Sequence, residues 1–283
     1  MLALVWPKPD PITTDVESAK SPSPLAPLPD QPVMILVVGL DAETIDATSN
    51  QAAPQGLANA DSLMLVNVGV NDPVQILQLP TELAVQLPGI DTMQPLSATW
   101  QRGGIALTSD VIGELIDLPR DKPDRYLILS RKGLRKIVEG LGDLEVTLNQ
   151  TYKYEDKAQN YSVNLQAGLQ TLNGAQAEQL ARFKPNVNHD HQRRMRQRLL
   201  LRSMHQQLAE ISSITMVPEL LDVISNQVAT DLSNTELLSL TAAVISSPAS
   251  PVITELPLAP RAGQQRLREL KPDLKLPIWP TQE

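Results

Sequence analysis

Short apolar runs that end at polar turns predict the strands of the protein. Val33–Leu40 is continuous, apolar and rich in β-branched residues, which is typical of a strand covered on both faces. Ser62–Val70 has the same character, and Val74–Leu79 alternates between apolar and polar positions. The turn residues 71–73 lie between these two runs, so the sequence predicts a hairpin. Further strands are predicted at Tyr126–Leu129, Glu145–Leu148, Tyr161–Leu165 and Ile253–Leu256.

Between these runs, apolar residues recur at the spacing of helices. One helix should begin after Asn173, whose side chain can accept from free backbone N–H groups of the first turn, and run through Leu180. Because strands and helices are mixed throughout, with both hairpin and crossover connections, we expect an α/β fold. Its architecture should be a three-layer α/β/α sandwich with a central mixed β-sheet. The other predicted helices are Ile105–Leu118, Lys132–Leu141, about His191–Ile211, Ser213–Thr230 and Asn234–Ile245.

Proline content divides the chain into three parts. Residues 7–32 contain eight of the 24 prolines, so 1–32 should be an extended, semi-rigid tether or a plain disordered tail. We expect one domain over 33–257 and a polar C-terminal tail over 258–283. The apolar start Met1–Trp6 is far shorter than the roughly 20 residues of a membrane span. The chain as written should therefore be soluble, with any membrane anchor missing or truncated.

Composition excludes several classes of function. The formal net charge of −8 argues against nucleic-acid binding, which needs a broad basic surface. The chain has no cysteine, which excludes disulfides, thiolate nucleophiles and cysteine-ligated metal sites. No G-x-S-x-G pattern is present, so a serine hydrolase is not expected. Any anion site must be a local basic patch on an acidic protein.

The strongest local signal is a cluster of arginines at the start of the long helix near residue 191. At helical spacing, Asp190, Arg193 and Gln197 share one face, while Arg194 and Arg198 lie on the neighbouring stripe. Guanidinium groups near a helix N-terminus suit phosphate, since their forked donors match its oxygens. The alternative is a solvated basic face. Upstream, Arg182 and Lys184 could converge on the same anion.

Two aspartates lie at the ends of predicted core strands. Asp41 follows the first strand, and Asp61 opens the second. If those strands are neighbours, the two carboxylates could hold Mg²⁺, a hard cation that favours oxygen ligands and bridges phosphates. The alternative is that both are solvated loop residues.

Several motifs, in order along roughly 33–257, resemble the LytR-CpsA-Psr family of bacterial cell-envelope proteins. The most specific stretch is Tyr154–Ala177, which contains G-x-Q-x-L-N-G and leads into Arg182-Phe183. The D-x-x-R-x-x-R-Q pattern follows at residues 190–197, and VVGLD and ADSLML resemble the opening strands of the family. The sequence is therefore identified as a divergent member of that family.

This resemblance implies an extracytoplasmic, membrane-tethered, Mg²⁺-dependent phosphotransferase. Such proteins transfer a glycopolymer from a polyprenyl-pyrophosphate lipid to peptidoglycan or a related wall acceptor. The implied partners are that lipid-linked glycan, peptidoglycan and the membrane surface, with no nucleic acid. Carried over by motif, Asp41 and Asp61 are metal ligands and Arg182 and Arg193 are catalytic. The implied substrate-binding residues are Lys184, Asp190, Arg196 and Gln197.

The sequence also departs from the family pattern at positions that bear on activity. Asn59 and Thr81 stand where the family has arginine, and Lys184 replaces a third arginine. The loop from Ala42 to Ala60 also looks long enough to displace Asp61 from Asp41. The alternative function is therefore a catalytically weak or inactive domain that binds a polyprenyl-phosphate lipid or envelope polymer without turnover. A transcription regulator is disfavoured by the acidic charge.

Overall fold

The computed structural model describes most of the chain. The described residues are 26–47, 58–70, 72–156, 161–184, 189–210, 222, 227–247, 249–261, 263, 265–276 and 279–280. The strands are β1 (Val33–Leu40), β2 (Ala60–Val68), β3 (Gln75–Leu79), β4 (Ala84–Val85), β5 (Gln94–Pro95), β6 (Arg125–Leu129), β7 (Leu144–Leu148), β8 (Tyr152–Asp156), β9 (Tyr161–Leu165), β10 (Gly168–Leu172), β11 (Val228–Thr230) and β12 (Val252–Glu255). The helices are α1 (Ala98–Ile116), α2 (Arg131–Gly140), α3 (Gly174–Arg182), α4 (Asp190–Glu210) and α5 (Asn234–Ser246).

Six strands form the central sheet, in the order β11-β6-β1-β2-β3-β12. β1 is parallel to β6, and β3 is parallel to β12, while the remaining neighbours are antiparallel. The sheet is therefore mixed, and the predicted hairpin is confirmed in β2 and β3. In this arrangement β1 is central, with a hydrogen-bonded neighbour on each side.

Helices cover both faces of the sheet. Alternate residues of each strand point to opposite faces, so one strand contributes side chains to two cores. Leu36 and Val38 of β1 belong to the same core cluster as Ile112 and Ile116 of α1. Ile35 instead belongs to the core that includes α5. A strand buried in this way must be apolar at consecutive positions, as the sequence of β1 is. The three-layer α/β/α sandwich is confirmed.

A second core lies beside the sandwich. It includes strands β7, β8, β9 and β10, which form two-stranded antiparallel pairs, and helices α2, α3 and α4. The predicted cap at Asn173 is confirmed: its side chain accepts from the backbone N–H of Gln176, and the Asn173 backbone N–H donates to Gln176 Oε1. This capping box fixes where α3 begins, and α3 leads the chain into Arg182 and Lys184.

Part of the helix predicted over Ser213–Thr230 is wrong. Val228–Thr230 is strand β11, which pairs antiparallel with β6 and covers its outer edge. The β-branched Val228 and Thr230 suit that pairing. Residues 213–221 and 223–226 lie outside the described part of the chain. The strands Tyr152–Asp156 and Gly168–Leu172 were not predicted, because exposed charged or polar residues interrupt their apolar pattern.

The described part of the C-terminal tail lies against the domain. The backbone N–H of Arg268 donates to the carbonyl of Glu82, and Trp279 is only 2% exposed within the main core. At the other end of the chain, the carbonyl of Pro27 accepts a hydrogen bond from the Ser239 hydroxyl on α5. Within the described residues, no helix has both the length and the apolar character needed to cross a bilayer.

Candidate functional site

The two aspartates lie at one edge of the sheet. β1 and β2 are neighbours, and Leu40 pairs with Ala60 while Gly39 pairs with Ser62, so Asp61 occupies a β-bulge. The backbone N–H of Asp41 donates to the Asn59 carbonyl at 3.1 Å, and the Asn59 N–H donates to Asp41 Oδ1 at 2.8 Å. The loop that separates them along the chain therefore leaves both aspartates at the same sheet edge. A bulge re-aims the side chain of its extra residue.

A cavity of about 530 Å³ opens at this edge, and we call it the large cavity. It lies among the start of β2, the end of β3, the start of α4 and the C-terminal segment. Its charged lining residues are Asp61, Glu82, Lys184, Asp190, Arg193 and Arg266. The remaining lining residues are Asn59, Ala60, Thr81, Pro95, Ser97 and Leu267. Asp41 lies outside this lining.

Arg193 forms ion pairs with two acidic residues of the large cavity, Asp61 and Asp190. It is 6% exposed, and one terminal nitrogen lies 3.0 Å from Asp61 Oδ1. The other donates to Thr81 Oγ1 at 3.2 Å and lies 3.4 Å from Asp190 Oδ1. Burial alone would lower the pKa of Arg193, but the charges of Asp61 and Asp190 outweigh it and raise the pKa above its ordinary value. Arg193 is therefore a fixed positive charge.

Lys184 extends this chain of charges, because its Nζ lies 2.6 Å from Asp190 Oδ1. Asp190 thus connects two cations at the start of α4. Lys184 lies two residues after the end of α3, and Arg193 lies in the first turn of α4. Both side chains line the same wall of the large cavity. The predicted set Asp61, Lys184, Asp190 and Arg193 is brought together in the large cavity.

A second, small cavity of about 60 Å³ lies on the other side of Asp61, which lines both. Arg182 and Gln197 line this small cavity and not the large one. The Ser62 hydroxyl donates to Gln197 Oε1 at 3.5 Å. Arg182 donates to Glu178 Oε1 at 3.1 Å, and its buried Nε has no hydrogen-bond partner in the described structure. Six of the eight predicted residues thus line one or both of two adjoining cavities, whereas Asp41 and Arg196 line neither.

Comparison with known proteins places the chain in a family. The sequence pattern of the LytR_cpsA_psr family matches residues 10–260. The chain belongs to that family. Polyisoprenyl-teichoic acid–peptidoglycan teichoic acid transferase TagU of Enterococcus faecalis is 25% identical over 205 residues, which are 72% of this chain. The chain spans only 62% of that relative's length.

Solved structures share the fold. The crystal structure of Bacillus subtilis TagV matches with a TM-score of 0.69 at 19% identity, over 86% of this chain and 92% of TagV. A structure of TagT bound to LI-WTA matches with a TM-score of 0.62 at 20% identity, over 86% of this chain and 85% of that one. These two likenesses show that the chain shares the fold of TagV and TagT.

One predicted substrate contact lies away from both cavities in this LytR-CpsA-Psr domain. The Arg196 guanidinium donates to the Phe183 carbonyl and lies over the rings of Phe183, at 5.0 Å, and Tyr152, at 5.5 Å. Burial lowers its pKa from the ordinary arginine value. In this structure Arg196 packs α4 against the second core, directly behind the segment that carries Lys184.

The interpretation of Arg194 and Arg198 as a solvated face is wrong. Arg194 is 5% exposed, and one terminal nitrogen lies 2.9 and 2.8 Å from the two oxygens of Glu82. Its other terminal nitrogen lies 2.8 Å from Glu255 Oε1. Arg198 donates to Gln78 Oε1 at 3.0 Å. These two arginines hold α4 onto β3 and β12, because carboxylate and amide acceptors from those strands face them.

Two charged lining residues were not predicted from the sequence. They are Glu82 and Arg266, of which Arg266 was assigned to the polar C-terminal tail. The local sequence gives no indication that Arg266 belongs to a site, since it lies in a segment without apolar periodicity. The structure brings it to the cavity only because the neighbouring Arg268 docks on the backbone at 82–84.

Proposed function

We propose that this LytR-CpsA-Psr protein is a cell-envelope phosphotransferase. It transfers a glycopolymer from a polyprenyl-pyrophosphate lipid to peptidoglycan or a related wall acceptor. The observation that supports this most directly is Arg193, a buried and charge-paired guanidinium in the wall of a 530 Å³ cavity. The relative TagU bears the name of a teichoic acid transferase that acts between a polyisoprenyl carrier and peptidoglycan.

The charges of the large cavity suit a diphosphate. Arg193 and Lys184 present cationic donors, and a guanidinium matches phosphate oxygens through its planar fork. In the proposed step, an acceptor hydroxyl oxygen attacks the phosphorus that carries the glycan. The bond from that phosphorus to the bridging oxygen breaks, polyprenyl phosphate leaves, and the hydroxyl proton passes to water. Arg193 stabilises the charge that develops on the departing phosphate.

We infer that Asp61, together with Asp41, holds Mg²⁺. Among the described residues, no group of three or more His, Cys, Asp or Glu side chains could hold a metal ion. Two carboxylates at one sheet edge nevertheless fit Mg²⁺, which usually takes one or two carboxylates and completes its shell with water and phosphate oxygens. When bound, the ion supplies positive charge beside the phosphate groups. Asp61, which lines both cavities, is the residue best placed for it.

The proposed substrates imply where the protein works. A peptidoglycan acceptor and a polyprenyl carrier meet at the outer side of the cytoplasmic membrane, so we place the domain outside the cytoplasm. The proline-rich stretch that precedes the contact of Pro27 with α5 would then be a spacer between a membrane tether and the domain.

The test is an assay of the purified chain with Mg²⁺, a synthetic polyprenyl-pyrophosphate-linked glycan and a peptidoglycan fragment. We expect the unmodified chain to release polyprenyl phosphate. In Arg193→Ala the rate of release should fall by about a thousandfold, as for other arginines at phosphoryl-transfer sites. Arg193→Lys keeps the charge and controls for folding, with thermal melting of each variant. Arg120→Ala removes an exposed arginine before β6, at the other edge of the sheet, and should leave turnover unchanged.

The outcomes separate the two candidate functions. Turnover that depends on Arg193 supports the transferase. Lipid binding without turnover, measured in the same preparation, supports a binding domain and rejects the transferase. The absence of both rejects both functions.

A further inference from the structure

The C-terminal segment contributes a wall to the large cavity. The Arg268 N–H donates to the Glu82 carbonyl at 2.9 Å, and the Ala84 N–H donates to the Arg268 carbonyl at 2.7 Å. Lys271 is fixed in the same way, by a 3.0 Å hydrogen bond from its N–H to the Pro257 carbonyl. Arg266 lies two residues before this anchor and lines the cavity. Its position is therefore set by backbone pairing that does not involve its own side chain.

The cations of the large cavity differ in how far they are already neutralised. Lys184 is paired with Asp190, and Arg193 is paired with both Asp61 and Asp190. Among the described residues that line the cavity, Arg266 is the cation without an ion pair to an acidic side chain. It is exposed, so its five N–H donors remain available to a ligand.

This difference decides which group meets an incoming anion first. A diphosphate must compete with Asp61 and Asp190 for the donors of Arg193 and Lys184. Arg266 needs no such exchange. Arg268 does not line the cavity, and its guanidinium donates to the Ala259 carbonyl.

We propose that Arg266 binds the diphosphate group of the lipid-linked substrate, as a phosphate-binding residue that the C-terminal segment supplies to the large cavity. This inference rests on the proposed function, because it names a further residue of the same site. It assigns a role in binding to Arg266 and leaves Lys271 outside the site. The same lining contains the neutral side chains of Asn59 and Thr81.

The test is isothermal titration calorimetry with geranylgeranyl diphosphate, on the full chain and four variants, one of which is Arg193→Lys. We expect Arg266→Ala to weaken binding by about tenfold or more, the usual cost of one lost charge-assisted hydrogen bond. Arg266→Lys keeps the charge without the fork and should recover part of the affinity. The matched control, Lys271→Ala, removes an exposed charge from the same segment outside the cavity lining. Screening should hold its effect below about twofold.

Each result has a defined meaning. Binding that weakens in Arg266→Ala, recovers in part in Arg266→Lys and persists in Lys271→Ala supports the proposal. Wild-type affinity in Arg266→Ala, alongside weakened binding in Arg193→Lys, overturns the role of Arg266 and leaves the proposed function standing. Equal losses in Arg266→Ala and Lys271→Ala also overturn it, since they indicate a net-charge effect. No binding by the wild-type chain overturns both proposals.

Discussion

Arg194 is the most informative residue to replace, because the sequence and the structure lead to opposite expectations for it. By its position along the helix, Arg194 belongs to a basic stripe, and the sequence alone is compatible with a solvated stripe. In the structure it lies between Glu82 and Glu255, whose side chains are only 9% and 18% exposed. Arg194→Met removes the charge and keeps much of the side-chain volume. It therefore leaves Glu82 without its ion-pair partner and Glu255 with the more distant Arg198, at the contact between α4 and the sheet.

The expected cost follows from that burial. Removing one partner of a buried ion pair typically costs about 3–5 kcal/mol, because the remaining charge is desolvated without compensation. Glu255 is partly solvated and also lies 3.6 Å from Arg198, so the lower half of that range is expected. A loss of about 3–4 kcal/mol is a large share of a domain stability of roughly 5–15 kcal/mol. A solvated arginine would cost less than about 0.5 kcal/mol.

Urea unfolding followed by circular dichroism measures the difference, with Arg120→Met as the control for removing an exposed arginine. Arg194→Met combined with Glu82→Gln should recover part of the loss, since the unpaired charge of Glu82 is then gone. A loss below about 1 kcal/mol in Arg194→Met would refute the reasoning, because it lies nearer the value for an exposed ion pair.

Two further perturbations test local features. Hydrogen bonds from the backbone and hydroxyl of Ser233, with Arg125, hold the pKa of Glu236 down to about 2. Its contribution to stability is therefore present above the ordinary glutamate pKa and lost as pH falls towards 2. In Ser233→Ala the pKa should rise part of the way to normal, and an NMR titration with no change would contradict this. Trp279→Ala should cost about 3–5 kcal/mol in urea unfolding, as for other buried tryptophans. A loss below about 1 kcal/mol would show that Trp279 is not part of the core.

Much of the fold could be predicted because local patterns carry it. A strand covered on both faces needs consecutive apolar residues, and Val33–Leu40 shows them. The cap at Asn173 depends on side-chain and backbone groups only three residues apart. The strand Val228–Thr230 could not be recognised in the same way, because its conformation is stabilised by pairing with β6, about a hundred residues earlier in the chain.

The candidate site was predicted only in part. The motif at the start of α4 predicted Asp190 and Arg193, and helical spacing predicted that they share a face. Spacing could not show that Arg196 packs on aromatic rings, since Tyr152 lies 44 residues earlier and meets it only after folding. The resemblance likewise implied one set of arginines, whereas the structure divides Arg182 and Arg193 between two cavities.

By itself, then, the sequence determined the order and type of most elements and the residue types available for anion chemistry. Both depend on neighbours within a few positions along the chain. The tertiary structure decided which charges are already neutralised and which can meet a ligand. Arg194 and Glu82 are 112 residues apart and form a buried pair. Arg266 reaches the cavity only through the docking of Arg268. Coulomb interactions depend on distance in space and on burial, and folding alone sets both.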